Sequence, residues 1–171
     1  MAIPHLITIK WKKMYKKIIK LRSNILVWLT HSLALPVLKL VRKPERFPYS
    51  RAQLINFPLG TIGKDLADFL DSKDLQLLPY YARHDMKHIL LDYDTTDEGE
   101  GCLQCFMLGN GHISFPVLAT VFYCFATMPE YWHHFAAAYK RGKRSGKIAN
   151  LQWFAILKTP TADLKSLIHS K

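Results

Sequence analysis

The stretch RHDMKHILLDYDTTDEGEGCLQCFMLG, residues 83–109, predicts a helical hairpin. Its first arm follows Pro79, which suits the first turn of a helix because proline has no N–H to leave unpaired there. The run YDTTDEG, residues 93–99, contains the turn and N-cap residues that reverse a chain. The second arm then runs to Gly109 and Gly111, and glycines commonly end helices. Two adjacent helices joined by a short polar turn are therefore expected.

Helical patterns also cover most of the remaining sequence. Beyond the N-terminal helix, we expect helices at about 24–41, 61–75, 114–127, 129–147 and, in two short pieces broken at Pro160, 151–168. Residues 42–58 carry three prolines and predict a connecting segment. No stretch alternates polar and apolar residues as a half-buried strand would. The predicted fold is all-α, a single-domain helical bundle with a basic amphipathic N-terminal helix.

The net charge of +11 is concentrated at the N-terminal end of the chain. Residues 1–51 hold twelve lysines and arginines and one acidic residue, Glu45, so the other 120 residues are electrically balanced. This divides the chain into a basic N-terminal helical region, 1–45, predicted to face a membrane, and a helical core, 46–171. A nucleic-acid-binding domain more often carries its basic residues across the folded body, so no nucleic-acid partner is expected.

The segment ITIKWKKMYKKIIKLR, residues 7–22, is typical of a basic amphipathic helix. Its apolar residues recur at helical spacing and its lysines take the opposite side; the apolar positions are Trp11, Met14, Tyr15, Ile18 and Ile19. Such a helix can lie in the interface of an anionic membrane, or it can dock on the protein's own core with its lysines in water. A mitochondrial transit peptide and a nucleic-acid-binding segment at residues 10–22 are further alternatives.

The sequence also bears on the location of the protein. The apolar runs at 24–41 and 113–128 are interrupted or too short to span a bilayer, and no secretory signal is evident. The three cysteines, an odd number in apolar surroundings, are predicted to be buried core thiols. We expect a cytoplasmic protein, peripheral to the inner membrane.

The first arm of the hairpin carries a candidate metal site. At about 100° per residue, His84, Asp85 and His88 project into one sector of their helix, about 100° wide. Asp92 lies on the same side one turn further along, where it would orient a ligand rather than bind the ion. Glu100 is predicted in the first turn of the second arm, from which it would point back and close the site.

Two imidazoles and two carboxylates suit a divalent metal: zinc first, with iron, manganese or magnesium as alternatives. The ordinary alternative is a polar helix face, with histidines that are exposed or hydrogen-bonded in the core. Asp85 has three possible roles: a metal ligand, a residue that orients His88, or a catalytic general base.

At these residues the chain resembles the Coq-four family, the fourth of the coenzyme Q (ubiquinone) biosynthesis proteins, in its bacterial branch. The pattern HDxxH, eleven residues and Glu is similar to the family's motif, and it falls here on His84, Asp85, His88 and Glu100. The resemblance extends over about residues 54–165, through FPLGTIGKDLADFLD (57–71), LLPYYARHDMKHILL (77–91), GEGCLQCFMLGNG (99–111) and AAAYKRGKRSGK (136–147).

The resemblance implies an α-helical, dimeric protein with a metal held by His84, Asp85, His88 and Glu100. It also implies an apolar cavity for a polyprenyl tail. Tyr139 and Gly142 match a later motif of the family, to which we assign no chemistry. The implied activity is that of a metal-dependent decarboxylase or hydroxylase. Its reaction would be the oxidative decarboxylation of a prenylated quinone precursor at the first ring carbon. The alternative is a non-catalytic scaffold that binds a polyisoprenoid lipid and organises other quinone biosynthesis enzymes at an anionic membrane.

Overall fold

The chain folds into α-helices joined by short turns. A computed structural model describes residues 3–33, 36 and 45–169. Within them lie eight α-helices: α1 Ile3–Val27, α2 Arg51–Ile55, α3 Ile62–Ser72, α4 Ala82–Leu91, α5 Asp97–Gly109, α6 Phe115–Thr127, α7 Trp132–Arg144 and α8 Thr161–His169. The described residues form no β-strand, only a single antiparallel bridge between Thr61 and Pro160. The predicted all-α fold is confirmed.

The N-terminal helix is longer than the sequence pattern suggests. α1 spans 25 residues and continues directly into a π-helical segment, Trp28–Leu33, so the apolar helix expected at 24–41 does not begin as a separate element. The rest of that prediction, residues 34, 35 and 37–41, lies outside the described residues. No helix in the described part of the chain combines the length and apolarity needed to cross a membrane.

The segment 42–58, predicted only as a connection, contains the short helix α2. Ser50 and Gln53 form a capping box, in which the Ser50 hydroxyl accepts the Gln53 N–H and the Gln53 side chain accepts the Ser50 N–H. The first of the two pieces predicted around Pro160 is a single 3₁₀ turn, Ile156–Lys158, and the second is α8.

Helix α5, the second arm of the predicted hairpin, is the central helix of the bundle. Every residue from 99 to 107 is buried, because α3, α4, α6 and α7 surround a shared apolar core. The buried side chain of Asn110, just past the end of α5, donates to the carbonyls of Gly142 and Gly146 and accepts the N–H of Ile148. This residue therefore ties α5 to the C-terminal end of α7.

Helices α5 and α7 approach so closely that each needs glycine at the contact. A Cβ on Gly109 would lie 2.1 Å from the backbone oxygen of Tyr139, and one on Gly142 would lie 2.2 Å from that of Phe106. Both distances are far below van der Waals contact, so neither position accepts a side chain unless the helices separate.

The three cysteines are free and buried, as predicted. Burial raises the pKa of Cys102 to about 11 and the pKa values of Cys105 and Cys124 to about 12. They are neutral thiols at physiological pH and belong to the apolar core between α5 and α6.

Candidate metal centre

Three of the predicted ligands come together where α4 meets α5. His84 and His88 lie one helical turn apart on α4, and Glu100 lies in the first turn of α5, as the loop length predicted. α5 begins there because Thr96 caps it, its hydroxyl accepting the N–H of Gly99 at 3.2 Å. The hairpin thus carries its polar side chains to one point inside the bundle.

The donor atoms of these residues form a nearly equilateral triangle. His84 Nε2 is 3.0 Å from His88 Nε2, and Glu100 Oε1 is 3.0 Å from His88 Nε2 and 3.2 Å from His84 Nε2. Neighbouring ligands of an ion with bonds of about 2.1 Å lie about 3.0 Å apart in octahedral and about 3.4 Å apart in tetrahedral coordination. The triangle therefore has the spacing of one face of a metal's coordination shell.

The orientation of His88 also suits metal binding. Its side chain is buried, and Nδ1 lies 2.9 Å from the backbone carbonyl oxygen of Tyr93. A carbonyl only accepts, so Nδ1 carries a proton, and in neutral His88 the lone pair of Nε2 faces Glu100 and His84. A backbone carbonyl that fixes the tautomer in this way is a recurrent partner of metal-bound histidines.

The charges at the cluster call for a cation. Burial alone would raise the pKa of Glu100, but interactions with His84 and His88 hold it well below its ordinary value. Burial would lower the pKa of His88, yet the hydrogen bond and charge of Glu100 raise it. The buried Glu100 carboxylate is therefore stabilised by nearby positive charge, which either protonated histidines or a divalent ion can supply.

The second carboxylate oxygen of Glu100 supports the same fit. Oε2 is buried and accepts no hydrogen bond from any described residue. A buried carboxylate oxygen without a partner is costly, and coordination to a cation is one way to satisfy it. The donor set His84, His88 and Glu100 is thus suited in number, chemistry and spacing to a divalent metal.

Asp85 is not part of this triangle. The donor atoms of His84, His88 and Glu100 lie within 4.8 Å of one another, and the Asp85 carboxylate is not among them. It is partly buried nearby, where burial raises its pKa to about 6 against the opposing effect of the two histidines. Its predicted roles as a ligand or a base therefore stay predictions.

The expectation for Asp92 was wrong. Helix α4 ends at Leu91, and Asp92 takes a left-handed backbone conformation (φ 56°). Its carboxylate is exposed and pairs with Lys165, so it orients neither histidine. The residue that orients His88 is Tyr93, through a backbone carbonyl that leaves no side-chain signal in the sequence.

Arg141 of α7 holds the segment that carries this carbonyl. Its Nη1 donates to the backbone oxygen of Leu91 at 2.6 Å, and its guanidinium lies over the ring of Tyr93, 5.2 Å from the centroid. In the sequence, Arg141 lies in the stretch AAAYKRGKRSGK, residues 136–147, with no role of its own assigned. In the structure it connects α7 to the residue that fixes the tautomer of His88.

We expect Arg141→Ala to weaken metal binding about 10-fold to 100-fold, the usual effect of removing an outer partner of a metal ligand. Titration with zinc against a chromogenic chelator would measure the change. Arg144→Ala is the matched control, because Arg144 is exposed on the same last turn of α7. Equal affinities for both variants would contradict this role of Arg141.

Neither a protein-family model nor a curated protein matches the chain. Among solved structures, the fold is similar to the crystal structure of a "Putative ubiquinone biosynthesis protein" from Nostoc punctiforme. The alignment covers 89% of this chain and 81% of that chain, with a TM-score of 0.60 and 18% sequence identity. The two chains share a fold. At 18% sequence identity, this similarity shows the fold alone.

Proposed function

We propose that this protein takes part in ubiquinone biosynthesis as a metal-dependent enzyme acting on the ring of a prenylated quinone precursor. The observation that carries the proposal is the close triangle of His84, His88 and Glu100 donor atoms. The fold shared with the Nostoc protein supports the assignment to quinone biosynthesis, as does the motif resemblance described above. Zinc is the first candidate for the metal, ahead of iron, manganese and magnesium.

The proposed reaction is oxidative decarboxylation at the first ring carbon. The carboxyl group leaves as carbon dioxide and a hydroxyl group from water takes its place, which releases two electrons and two protons. We propose that dioxygen accepts them and is reduced to hydrogen peroxide. A divalent ion at the site would supply Lewis-acid polarisation of a ring oxygen or carboxylate. The two histidines and Glu100 would hold that ion, and the Nδ1–H of His88 would keep its imidazole oriented through Tyr93.

Asp85 is the residue for which we propose a catalytic role. In the proposed site it either completes the metal's ligands or acts as a general base. An Asp85→Asn variant separates the two roles, because asparagine keeps the shape of the side chain but cannot accept a proton at neutral pH. Full metal content with loss of turnover would identify the base, whereas loss of metal would identify the ligand.

The experiment that tests the function uses a prenylated, ring-carboxylated phenol labelled with ¹³C in the carboxyl group. Purified protein would be loaded in turn with zinc, iron, manganese and magnesium and incubated with this substrate in air. We expect labelled carbon dioxide and a ring-hydroxylated product with at least one metal, and neither with His88→Ala. Mass spectrometry would measure both products.

A defined negative result would favour the alternative function. If no metal supports release of carbon dioxide, but a polyisoprenoid lipid co-purifies with the protein, the chain is a non-catalytic scaffold for quinone biosynthesis enzymes. In that case the ion would only fasten α4 to α5, and any metal that restores folding would also restore the scaffold's role.

A further inference from the structure

A row of exposed apolar side chains runs along α1. Met14, Ile18, Leu21 and Ile25 are 44%, 55%, 61% and 37% exposed. At about 100° per residue they fall within an arc of about 60°, so they form one continuous stripe, here called the α1 stripe. The part of the body that the structure describes does not cover it, although the sequence allowed this helix to dock on the protein's own core.

Helix α1 also carries five lysines, all of them exposed: Lys12, Lys13, Lys16, Lys17 and Lys20. No acidic residue precedes Glu45 in the sequence, so no carboxylate from this region neutralises them. By the same helical count the lysines occupy the side of α1 away from its apolar residues. Whatever covers this surface must accept an apolar row and a line of positive charge together.

The C-terminal part of α1 is attached to the body. Leu26 is buried, and Arg22 Nη1 pairs with Glu130 Oε1 at 2.5 Å and donates to the carbonyl of Thr127 at 3.3 Å. The hydroxyl of Tyr123 in α6 donates to the backbone oxygen of Arg22 at 2.9 Å. α1 is thus held in a fixed orientation while the α1 stripe stays accessible.

Helix α6, which contacts α1 through Tyr123, also exposes apolar side chains. Phe115, Leu118 and Phe122 are 56%, 46% and 76% exposed, and they recur at helical spacing along one side of α6. Single exposed apolar residues are ordinary, but rows of them on two contacting helices are typical of an interaction surface.

We propose that α1 docks on a lipid bilayer that contains anionic lipids. The α1 stripe enters the boundary between head groups and acyl chains, and the lysines contact the anionic head groups. A second copy of the chain would place lysines against lysines, and a nucleic acid would leave the apolar stripe in water. The α1 stripe lies outside residues 54–165, which carry the family resemblance, and its docking is independent of the proposed reaction.

Co-sedimentation with vesicles tests this proposal on the full-length chain. The vesicles would contain phosphatidylcholine alone or phosphatidylcholine with phosphatidylglycerol, in physiological salt. We expect binding to the anionic vesicles and little to the neutral ones. Ile18→Asp with Leu21→Asp should lower the partition coefficient at least about 100-fold, because two apolar side chains that would enter the bilayer become charged. Lys16→Glu with Lys17→Glu should lower it at least about 25-fold, at about fivefold for each lysine lost.

Leu59→Asp is the matched control, since Leu59 is 85% exposed but lies in the loop before α3. It should bind vesicles like the wild type, and circular dichroism would verify that every variant is folded. Equal binding by the wild type and the α1 variants would overturn the proposal. So would a dimer that the α1 substitutions dissociate without any vesicle binding, or binding to DNA in the absence of lipid. None of these outcomes changes the metal content, so the proposed function is tested separately.

Discussion

Replacing His88 by alanine should abolish metal binding. The wild-type chain is expected to hold about one divalent ion, because three donor atoms stand at the spacing of a coordination face. His88 is the most buried of the three residues, and its tautomer is fixed by Tyr93. Its loss should lower the affinity at least about 100-fold, more than the loss of an outer partner usually costs. Element analysis by mass spectrometry after dialysis would measure metal content, and chelator competition would measure affinity.

Two controls separate loss of a ligand from loss of the fold. His134→Ala removes an imidazole that also contacts a carboxylate, Glu98 Oε1 at 2.5 Å, but on the exposed side of α5 and α7. Leu90→Ala removes a fully buried side chain of α4 and should lower stability while the ion stays bound. A divalent ion should raise the melting temperature of both controls but not of His88→Ala.

Retention of the ion by folded His88→Ala would place the metal elsewhere. A wild-type chain that binds no divalent ion would overturn the metal centre altogether. The cluster would then be a network in which the imidazole N–H groups of His84 and His88 satisfy the ionised Glu100 carboxylate.

Gly142→Ala should destabilise the protein by about 3 kcal/mol, at the upper end of the usual cost of overfilling a core. The added Cβ would lie 2.2 Å from the backbone oxygen of Phe106, and a backbone oxygen cannot move aside as a flexible side chain can. The two helices must therefore separate, which loosens the central helix α5. Urea denaturation followed by circular dichroism would measure the free energy of unfolding.

Matched variants test whether helix separation is the cause. Ala137→Ser, on the exposed side of α7, should change the free energy of unfolding by less than about 0.5 kcal/mol. Gly109→Ala should cost about as much as Gly142→Ala, since its Cβ would lie 2.1 Å from the Tyr139 oxygen. The double variant should cost less than the sum, because helices already separated by one methyl group accommodate the second. Full additivity would contradict the shared contact.

The sequence predicted the hairpin well because the signals that form it are local. A threonine cap and a glycine end mark the second arm, and helical periodicity alone places His84 beside His88. The length of the turn then places Glu100 opposite them. The first arm begins at Ala82, so the expectation that Pro79 stands in its first turn was wrong; Pro79 lies in the turn before the helix. For α2 the prediction was incomplete, because three prolines favoured a connecting segment and the Ser50–Gln53 capping box was not used as a helix signal.

The sequence could not predict features that depend on where a helix ends or on which apolar side chains stay exposed. Asp92 was placed by extending the periodicity of α4 by one residue, yet the helix ends before it and a left-handed turn directs its side chain to solvent. The carbonyl of Tyr93 and the support from Arg141 need tertiary structure. Periodicity also does not tell a docked helix from an exposed one, so only the structure shows that the α1 stripe is uncovered.

The burial of the three cysteines makes this chain suitable for site-specific labelling without removing any native cysteine. With a pKa of about 11, Cys102 is thiolate in only about one molecule in 10,000 at neutral pH, and the other two thiols ionise even less. A single cysteine introduced at Ile18 would be the one accessible to a maleimide dye. The emission of an environment-sensitive dye at that position would then report, in one chain and in real time, whether α1 enters a bilayer and how deeply.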